Sequence, residues 1–215
     1  MRLGALVLAV LALACPPSVL PLRQELQGPA MRQDALELSD TLEKLIDAKE
    51  DTHEDREEAY QVVREWPQTT AAYAYGRAAL VGRLAQIKGM KAGPLIPEME
   101  KWARTSLALN PKFRNGAAKR MLGTLYVLAP ASLLKHGDSE KGLAMLEEMV
   151  KAHPEDLENH LRVAEAYVSL DDPEPAHPYL CRALKRKKEL RPDNQRLLDK
   201  LIGSVGKAQL KCSAG

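Results

Sequence analysis

A pattern of small and large apolar residues recurs three times after residue 68, and it constrains the fold more than any other feature of the chain. Each copy has a first segment built around a small residue, a second segment with apolar anchors, and a closing proline. The first copy contains Ala72, Tyr75, Gly76, Ala79, Met99, Ala103, Ser106 and Pro111. The second contains Lys119, Leu122, Gly123, Tyr126, Gly142, Leu146, Met149 and Pro154. The third contains His160, Val163, Ala164, Tyr167, Ala176, Leu180, Ala183 and, one helical turn late, Pro192.

The spacing within each copy is that of two amphipathic helices in a hairpin, and it matches the skeleton of the tetratricopeptide repeat. We expect the small residue (Gly76, Gly123 or Ala164) to let the two helices of its hairpin approach closely. Leucine at Gly123 should overpack this contact, whereas alanine should be tolerated. Each hairpin leaves an apolar face that only a neighbour covers. The pattern therefore predicts an all-α, tetratricopeptide-like solenoid with three repeats over residues 68–192.

The segments on either side of the repeats are also predicted to be helical. Apolar residues at helical spacing indicate an N-terminal helical hairpin within residues 31–67, which ends at Trp66-Pro67. After the last repeat, Leu197, Leu198, Leu201, Ile202 and Val205 indicate a capping helix within residues 193–211.

The hairpin turns of the first two copies are longer than that of the third, by about 11 and about 7 residues. Equivalent insertions lie on one edge of a solenoid, so we expect Lys88–Pro97 and Ala129–Asp138 to share an edge. Their apolar members are Leu95, Ile96, Pro130, Leu133 and Leu134. Two interpretations stay open, a binding edge or two caps over the hairpin cores. We expect that shortening both turns leaves the fold intact and weakens binding.

Three residues in the first helices of the same copies complete the candidate surface for a ligand or protein partner. Tyr75, Arg120 and Tyr126 lie where first helices line the concave face of such solenoids. An arginine beside tyrosine rings can hold an acidic group while the rings cover apolar surface. The alternative is that both tyrosines belong to the core and that Arg120 is solvated.

The first 14 residues are typical of an export signal. Arg2 precedes an apolar run from Leu3 to Ala14, which is shorter than the ~20 residues of a membrane-spanning helix. Cys15 follows Ala12-Leu13-Ala14 directly and resembles the acylated first residue of a bacterial lipoprotein. Ordinary cleavage after Ala14 and an uncleaved anchor are the alternatives. Residues 15–30 begin with a proline-rich stretch and are predicted to be a tether, which implies a lipid-anchored periplasmic protein.

With Cys15 acylated, the two remaining cysteines have two possible fates. In an oxidising periplasm, Cys181 and Cys212 can form a bridge that ties the C-terminal helix to the last repeat. The alternative is two unpaired thiols.

The sequence lacks the patterns of a catalytic, metal or cofactor site. No two of the five histidines are three or four residues apart, and no zinc-type spacing, phosphate loop or nucleophile elbow occurs. A formal net charge of +2 and an aromatic content of 4% argue against a nucleic-acid partner. A basic stretch between Arg182 and Arg191 is the exception to this balance. We therefore expect a protein that is not an enzyme and that has no cofactor.

The block from Phe113 to Pro130 resembles the T component associated with tripartite ATP-independent periplasmic (TRAP) transporters. The shared order is Gly116-Ala117, Leu122-Gly123, Tyr126, Ala129-Pro130 and then Gly137-Asp138-Ser139-Glu140-Lys141. The resemblance covers roughly residues 70–190, with a generic third repeat and no counterpart of the N-terminal hairpin. It implies a periplasmic repeat lipoprotein, often trimeric, that partners the solute-binding protein of a transporter and passes an apolar small ligand through a pore. A tetratricopeptide adaptor for envelope assembly, with no ligand, is the alternative function.

Overall fold

The computed structural model describes residues 22–206 together with Leu210 and Cys212, and this part of the chain is helical without strands. The all-α class predicted from the sequence is therefore confirmed. The helices are α1 (Gln24–Met31), α2 (Ala35–Ala48), α3 (His53–Arg64), α4 (Ala71–Lys88), α5 (Leu95–Leu109), α6 (Ala117–Leu128), α7 (Ser139–Ala152), α8 (Leu157–Ser169), α9 (His177–Lys185) and α10 (Pro192–Val205). None of the helices within the described ranges is long and apolar enough to cross a membrane. The export signal and Cys15 lie outside the described residues.

Local capping signals fix where many of these helices begin. The side chain before each of five helices accepts a hydrogen bond from a backbone amide in the first turn, and these residues are Asp34, Thr52, Thr70, Asp138 and Asp156. Such a cap typically stabilises a helix by ~1 kcal/mol. Thr52 and Asp55 bond each other reciprocally in a capping box at the start of α3.

Successive helices pack as four hairpins, α2–α3, α4–α5, α6–α7 and α8–α9, and α10 covers the last of them. The second helix of each hairpin also contacts the first helix of the next hairpin. The core consequently continues from the N-terminal hairpin to α10, and its fully buried residues include Leu38, Leu42, Leu80, Leu122, Leu146, Leu161, Leu180 and Leu198. Full burial of each leucine contributes about 1.5–3 kcal/mol relative to exposure.

Two glycines of the repeat pattern allow close helix contacts, but with different partners. A Cβ at Gly123 would lie 2.8 Å from Cγ of Leu146 and 3.0 Å from the carbonyl oxygen of Gly142, both on α7 of the same hairpin. A Cβ at Gly76 would lie 2.3 Å from the carbonyl oxygen of Ala35 on α2, in the preceding hairpin. The expected contact within the hairpin is therefore wrong for Gly76. The expected tolerance of alanine at Gly123 is corrected too, since Leu146 would have to move.

The N-terminal tether predicted for residues 15–30 is wrong for residues 24–30, because they belong to α1. Leu26 is fully buried and Leu22 nearly so, and both join the cluster of α2 and α3. Leu26 lies on α1 and Leu22 just before it, and burial of both side chains offsets the cost of Pro29 within the helix. Residues 15–21 lie outside the described part of the chain.

The C-terminal segment is tied to the last hairpin by a covalent bond. Cys181 on α9 and Cys212 form a disulfide with their Cα atoms 5.3 Å apart. The structure thus contains the first of the two fates that the sequence left open for these cysteines. Because α10 lies between the two half-cystines in sequence, the bridge encloses it in a covalent loop.

Candidate functional site

The first helices of the four hairpins (α2, α4, α6 and α8) form a row, and α10 contacts both ends of this row, α8 and α2. Arg191 pairs with Glu43 and, at 3.0 Å, with Asp47, while the amide of Asp193 donates to Asp47 at 3.0 Å. Arg196 donates to the carbonyl oxygen of Asp47 at 3.3 Å, at the C-terminal end of α2 where a cation is favoured. We call these five residues the α2–α10 clasp. The clasp encloses the concave face that an open solenoid would expose.

Arg83 on α4 lies on the enclosed face and pairs with two residues of the clasp. The Arg83 guanidinium donates to both carboxylate oxygens of Glu43, at 2.5 Å and 2.6 Å, and pairs with Asp193 at 3.0 Å. Burial alone would raise the pKa of Glu43, but the hydrogen bonds and charges of Arg83 and Arg191 lower it below its ordinary value. Burial would likewise lower the pKa of Arg83, and the neighbouring carboxylates raise it. Both groups therefore carry full charges at neutral pH.

A second set of ion pairs links α6, α8 and α10 across the same face. Arg120 on α6 pairs with Asp156 at 3.2 Å and with Glu158 at 3.1 Å. Arg162 on α8 donates to the side-chain oxygen of Asn194 on α10 at 3.0 Å. Burial opposes the charge of Glu158, yet Arg120 and Arg162 lower its pKa. The inner face of these helices is consequently polar and internally paired.

We expect loss of Arg191 to loosen the clasp without unfolding the protein. Arg191→Ala removes two half-exposed ion pairs, so the free energy of unfolding should fall by about 1 kcal/mol, and less in high salt. The pKa of Glu43 is lowered in the folded state, so its stabilising contribution is present above its unfolded pKa of about 4.3 and is lost as the pH falls further. Hydrogen exchange of the α10 amides measures the loosening.

Lys188→Ala is the matched control, because Lys188 is exposed and has no ion-pair partner among the described residues. Equal protection of α10 in both variants would contradict the clasp.

The three first-helix residues that the sequence predicts to form a binding surface have different surroundings in the structure. The Arg120 side chain is only 12% exposed and its guanidinium is fully engaged by α8, so it is neither solvated nor open to a ligand. Tyr75 packs against Phe113 with ring centroids 5.6 Å apart, and burial raises the pKa of its hydroxyl. Tyr126 is buried and donates its hydroxyl to Glu100 at 3.1 Å. This corrects the interpretation of Tyr126 and Arg120 as a shared binding surface, because the fold itself covers both.

The second insertion folds back over α5 and is held by one buried carboxylate. Glu100 is 1% exposed and accepts hydrogen bonds from the amides of Lys135 at 3.0 Å and His136 at 2.9 Å, besides that from Tyr126. Burial opposes the charge of Glu100, but these donors lower its pKa below the ordinary value. Of the apolar residues predicted here, Leu134 packs on the α5–α6 core, Leu133 is half-buried and Pro130 is exposed.

The first insertion is mostly helix and not loop. Helix α4 continues through Lys88 and α5 begins at Leu95, so only a short 3-10 turn at Gly89–Ala92 and two further residues separate them. Leu95 is buried in the cluster of α3 and α4, and Ile96 is half-buried. Met90 at the tip is fully exposed. The structure argues against the expectation that both turns can be shortened harmlessly, because one cut removes helix and the other uncovers Glu100.

The first and the second insertion each contribute residues from one end to a cleft of about 540 Å³ beside α5. The cleft is lined by Arg64, Arg77, Pro97, Glu98, Glu100, Lys101, Trp102, Lys135 and His136. Pro97 ends the first insertion, and Lys135 and His136 belong to the second. The edge that the repeat spacing predicted is thus the edge on which this cleft opens.

Trp102 on α5 is the aromatic surface of the cleft, and its neighbours hold it in place. Its ring meets Tyr73 edge-on with centroids 5.5 Å apart. The Arg77 guanidinium lies 4.3 Å from the ring centroid of Trp102, and Nζ of Lys101 lies 5.1 Å from it. Cations at these distances are attracted to the ring by about 0.5–2 kcal/mol each.

Arg77 is itself fixed by two acceptors. It donates to Oε1 of Glu98 at 2.7 Å and to the hydroxyl oxygen of Tyr73 at 3.0 Å. Glu98 also accepts a hydrogen bond from the Tyr60 hydroxyl at 2.8 Å. Burial and this bond raise the pKa of Tyr60 to about 12, so the hydroxyl keeps its proton at physiological pH. The cleft is therefore largely formed before any ligand arrives.

Among the described residues, four of the six cations between Arg182 and Arg191 are in ion pairs. Arg182 and Arg186 both pair with Glu155, and Lys187 pairs with Asp199 at 2.6 Å. Arg191 belongs to the clasp. Most of these charges are therefore balanced inside the fold.

Sequence reasoning missed Trp102 and Glu100, although one signal was present. Glu100 stands three residues before the anchor Ala103, which puts a carboxylate on the apolar stripe of α5. A charge on such a stripe must find partners, because an unpaired buried charge is strongly unfavourable. Trp102 had no comparable signal, since it lies between the anchors of the repeat pattern.

Comparison with known proteins does not assign the chain to a family. No protein-family model matches it, and no curated protein sequence matches it.

Proposed function

We propose that the chain is a non-catalytic, exported helical scaffold that binds a protein partner at the cleft beside α5. The observation that carries this proposal is the contrast between two surfaces. The concave face is closed by the α2–α10 clasp and its charges are paired within the fold. The cleft instead presents a fixed tryptophan and several cationic side chains at the edge where the two insertions meet.

Export is supported by the chemistry of the cysteines. A disulfide such as that between Cys181 and Cys212 persists in oxidising compartments, which include the bacterial periplasm. We propose that the signal-like residues 1–14 direct the chain there and that acylated Cys15 anchors it to a membrane.

The resemblance in residues 113–130 supports a finer proposal, an accessory component of a TRAP-type transporter whose partner is the solute-binding protein. These residues form the turn before α6, α6 itself and the start of the second insertion, whose later residues Lys135 and His136 line the cleft. The ion pairs on the inner face do not favour passage of an apolar ligand, so we do not propose that the chain conducts one. The trimer implied by the same resemblance remains part of the proposal. An adaptor for envelope assembly is the competing function.

Site-specific cross-linking tests the proposal in the bacterium that encodes the chain. A photoreactive amino acid at Glu65, which is exposed beside the cleft residue Arg64, should cross-link a solute-binding protein identified by mass spectrometry. The same amino acid at the exposed Lys185 serves as the control, because that position lies on α9, away from the cleft. Capture of an envelope-assembly protein from Glu65 would favour the adaptor. Equal capture from both positions, or none from Glu65, would reject partner binding at the cleft.

A further inference from the structure

We infer that the cleft beside α5 recognises an extended, carboxylate-rich segment of the partner, which places an apolar or aromatic side chain on Trp102. This inference rests on the proposed function, because it specifies the chemistry of the partner at the same site.

The charges that line the cleft are unbalanced. Four cationic side chains face two carboxylates, Glu98 and Glu100. Both carboxylates are already satisfied inside the fold, Glu98 by Arg77 and Tyr60, and Glu100 by the amides of the second insertion and by Tyr126.

Three cations in the cleft consequently lack a carboxylate partner in the described part of the chain. Arg64, Lys101 and Lys135 are all exposed, and the described residues place no carboxylate within ion-pair distance of them. Arg64 makes a long hydrogen bond of 3.4 Å to Gln61, and its guanidinium lies over the Tyr60 ring, 5.3 Å from the ring centroid. In contrast, the basic stretch of α9 and the segment after it is largely paired. The cleft therefore holds a local excess of positive charge on a chain of nearly balanced charge, which favours an anionic partner.

The distribution of these cations argues for a segment with several acidic groups. Arg64 ends α3, Lys101 lies on α5 and Lys135 belongs to the second insertion, so the three line the cleft from different elements. A segment with spaced Asp or Glu residues can pair with cations on all three elements, and an apolar side chain between them covers the Trp102 ring.

Two synthetic peptides provide the probe. The first is an extended peptide of about 12 residues with four glutamates and one central leucine, and the second replaces each glutamate with glutamine. The chain has two tryptophans, Trp66 in the core and Trp102 in the cleft, so an amide correlation spectrum resolves one indole N–H signal from each. Trp102→Phe assigns the two signals.

The expected result is that the glutamate peptide shifts the Trp102 indole signal and leaves the Trp66 signal in place. The triple variant Arg64→Gln, Lys101→Gln and Lys135→Gln should weaken binding at least tenfold, and a triple replacement by glutamate should abolish it. The control changes three exposed lysines outside the cleft, Lys185→Gln, Lys188→Gln and Lys200→Gln, and should bind as the wild type does. Thermal melting verifies that each variant is folded.

Three outcomes would overturn the inference. They are equal binding of the glutamine peptide, equal weakening by the control variant, and a succinate ion that binds as tightly as the peptide. Cross-linking from Glu65 distinguishes this failure from failure of the proposed function. A partner that is still captured by the triple glutamine variant would leave the scaffold proposal standing and reject the acidic segment.

Discussion

Replacing Gly76 with alanine is expected to lower the free energy of unfolding by about 3 kcal/mol, at the upper end of the cost of overpacking. The new Cβ would lie 2.3 Å from the carbonyl oxygen and 2.5 Å from the carbonyl carbon of Ala35, and 2.7 Å from the amide nitrogen of Leu36. These are backbone atoms of α2, so no side-chain rotation relieves the overlap and α2 must move away from α4. Denaturant unfolding of the two proteins measures the difference.

Gly93→Ala is the matched control for this change. A Cβ at Gly93 has no atom within 4 Å, and its φ of −43° is accessible to alanine. That variant should be as stable as the wild type, or slightly more stable because the unfolded chain loses freedom. Since α2 carries Glu43 and Asp47, displacement of α2 should also expose the α10 amides to exchange. If Gly76→Ala has the same free energy of unfolding as the wild type, the close contact between α2 and α4 is contradicted.

The hairpins could be predicted from the sequence because their signals are local. Thr70 and Asp138 precede α4 and α7 and cap them, and helical spacing separates the anchors Leu122 and Tyr126 of α6 and the anchors Leu146 and Met149 of α7. Gly76 and Gly123 look equivalent in the repeat pattern, yet one faces the preceding hairpin and the other its own. Which neighbour a small residue contacts depends on how adjacent hairpins are rotated, and helical spacing alone does not report that rotation.

The enclosed inner face could not be predicted in this way. The clasp joins Asp47 to Arg191 and Asp193, residues that are 144 and 146 positions apart along the chain. No periodicity spans that separation, and each of these residues alone resembles a solvated surface charge. Arg120 lies on the inner face, where Asp156 and Glu158 at the start of α8 pair with it.

Only part of the candidate cleft could be predicted from the sequence. The lengths of the two insertions predicted an edge, and Pro97 and Lys135 do meet there. The burial of Glu100 depends on the second insertion, whose amides follow 35 and 36 residues later in the chain. A carboxylate and its distant amide donors share no local sequence signature, so the anchor emerges only from the folded structure.

Replacing Glu100 with alanine is expected to release the second insertion and to lower the free energy of unfolding by about 3 kcal/mol or more. The substitution leaves the amides of Lys135 and His136 and the hydroxyl of Tyr126 without their shared acceptor. Because the folded pKa of Glu100 lies below its ordinary value, its contribution is present at neutral pH. It is lost as the pH falls from its unfolded value of about 4.3 through the folded one.

Hydrogen exchange at the amides of Lys135 and His136 reports the release directly, and Glu100→Gln separates charge from shape. Glutamine keeps one oxygen acceptor but loses the negative charge and the second acceptor, so it should protect these amides partially. Because glutamine does not titrate, the protection should also depend less on pH in the acidic range. Since Lys135 forms one wall of the cleft, both variants should also weaken binding of the glutamate peptide, alanine more than glutamine. Unchanged protection in Glu100→Ala would mean that the insertion is held by its apolar contacts through Leu134, and the cleft would then keep its shape without the carboxylate.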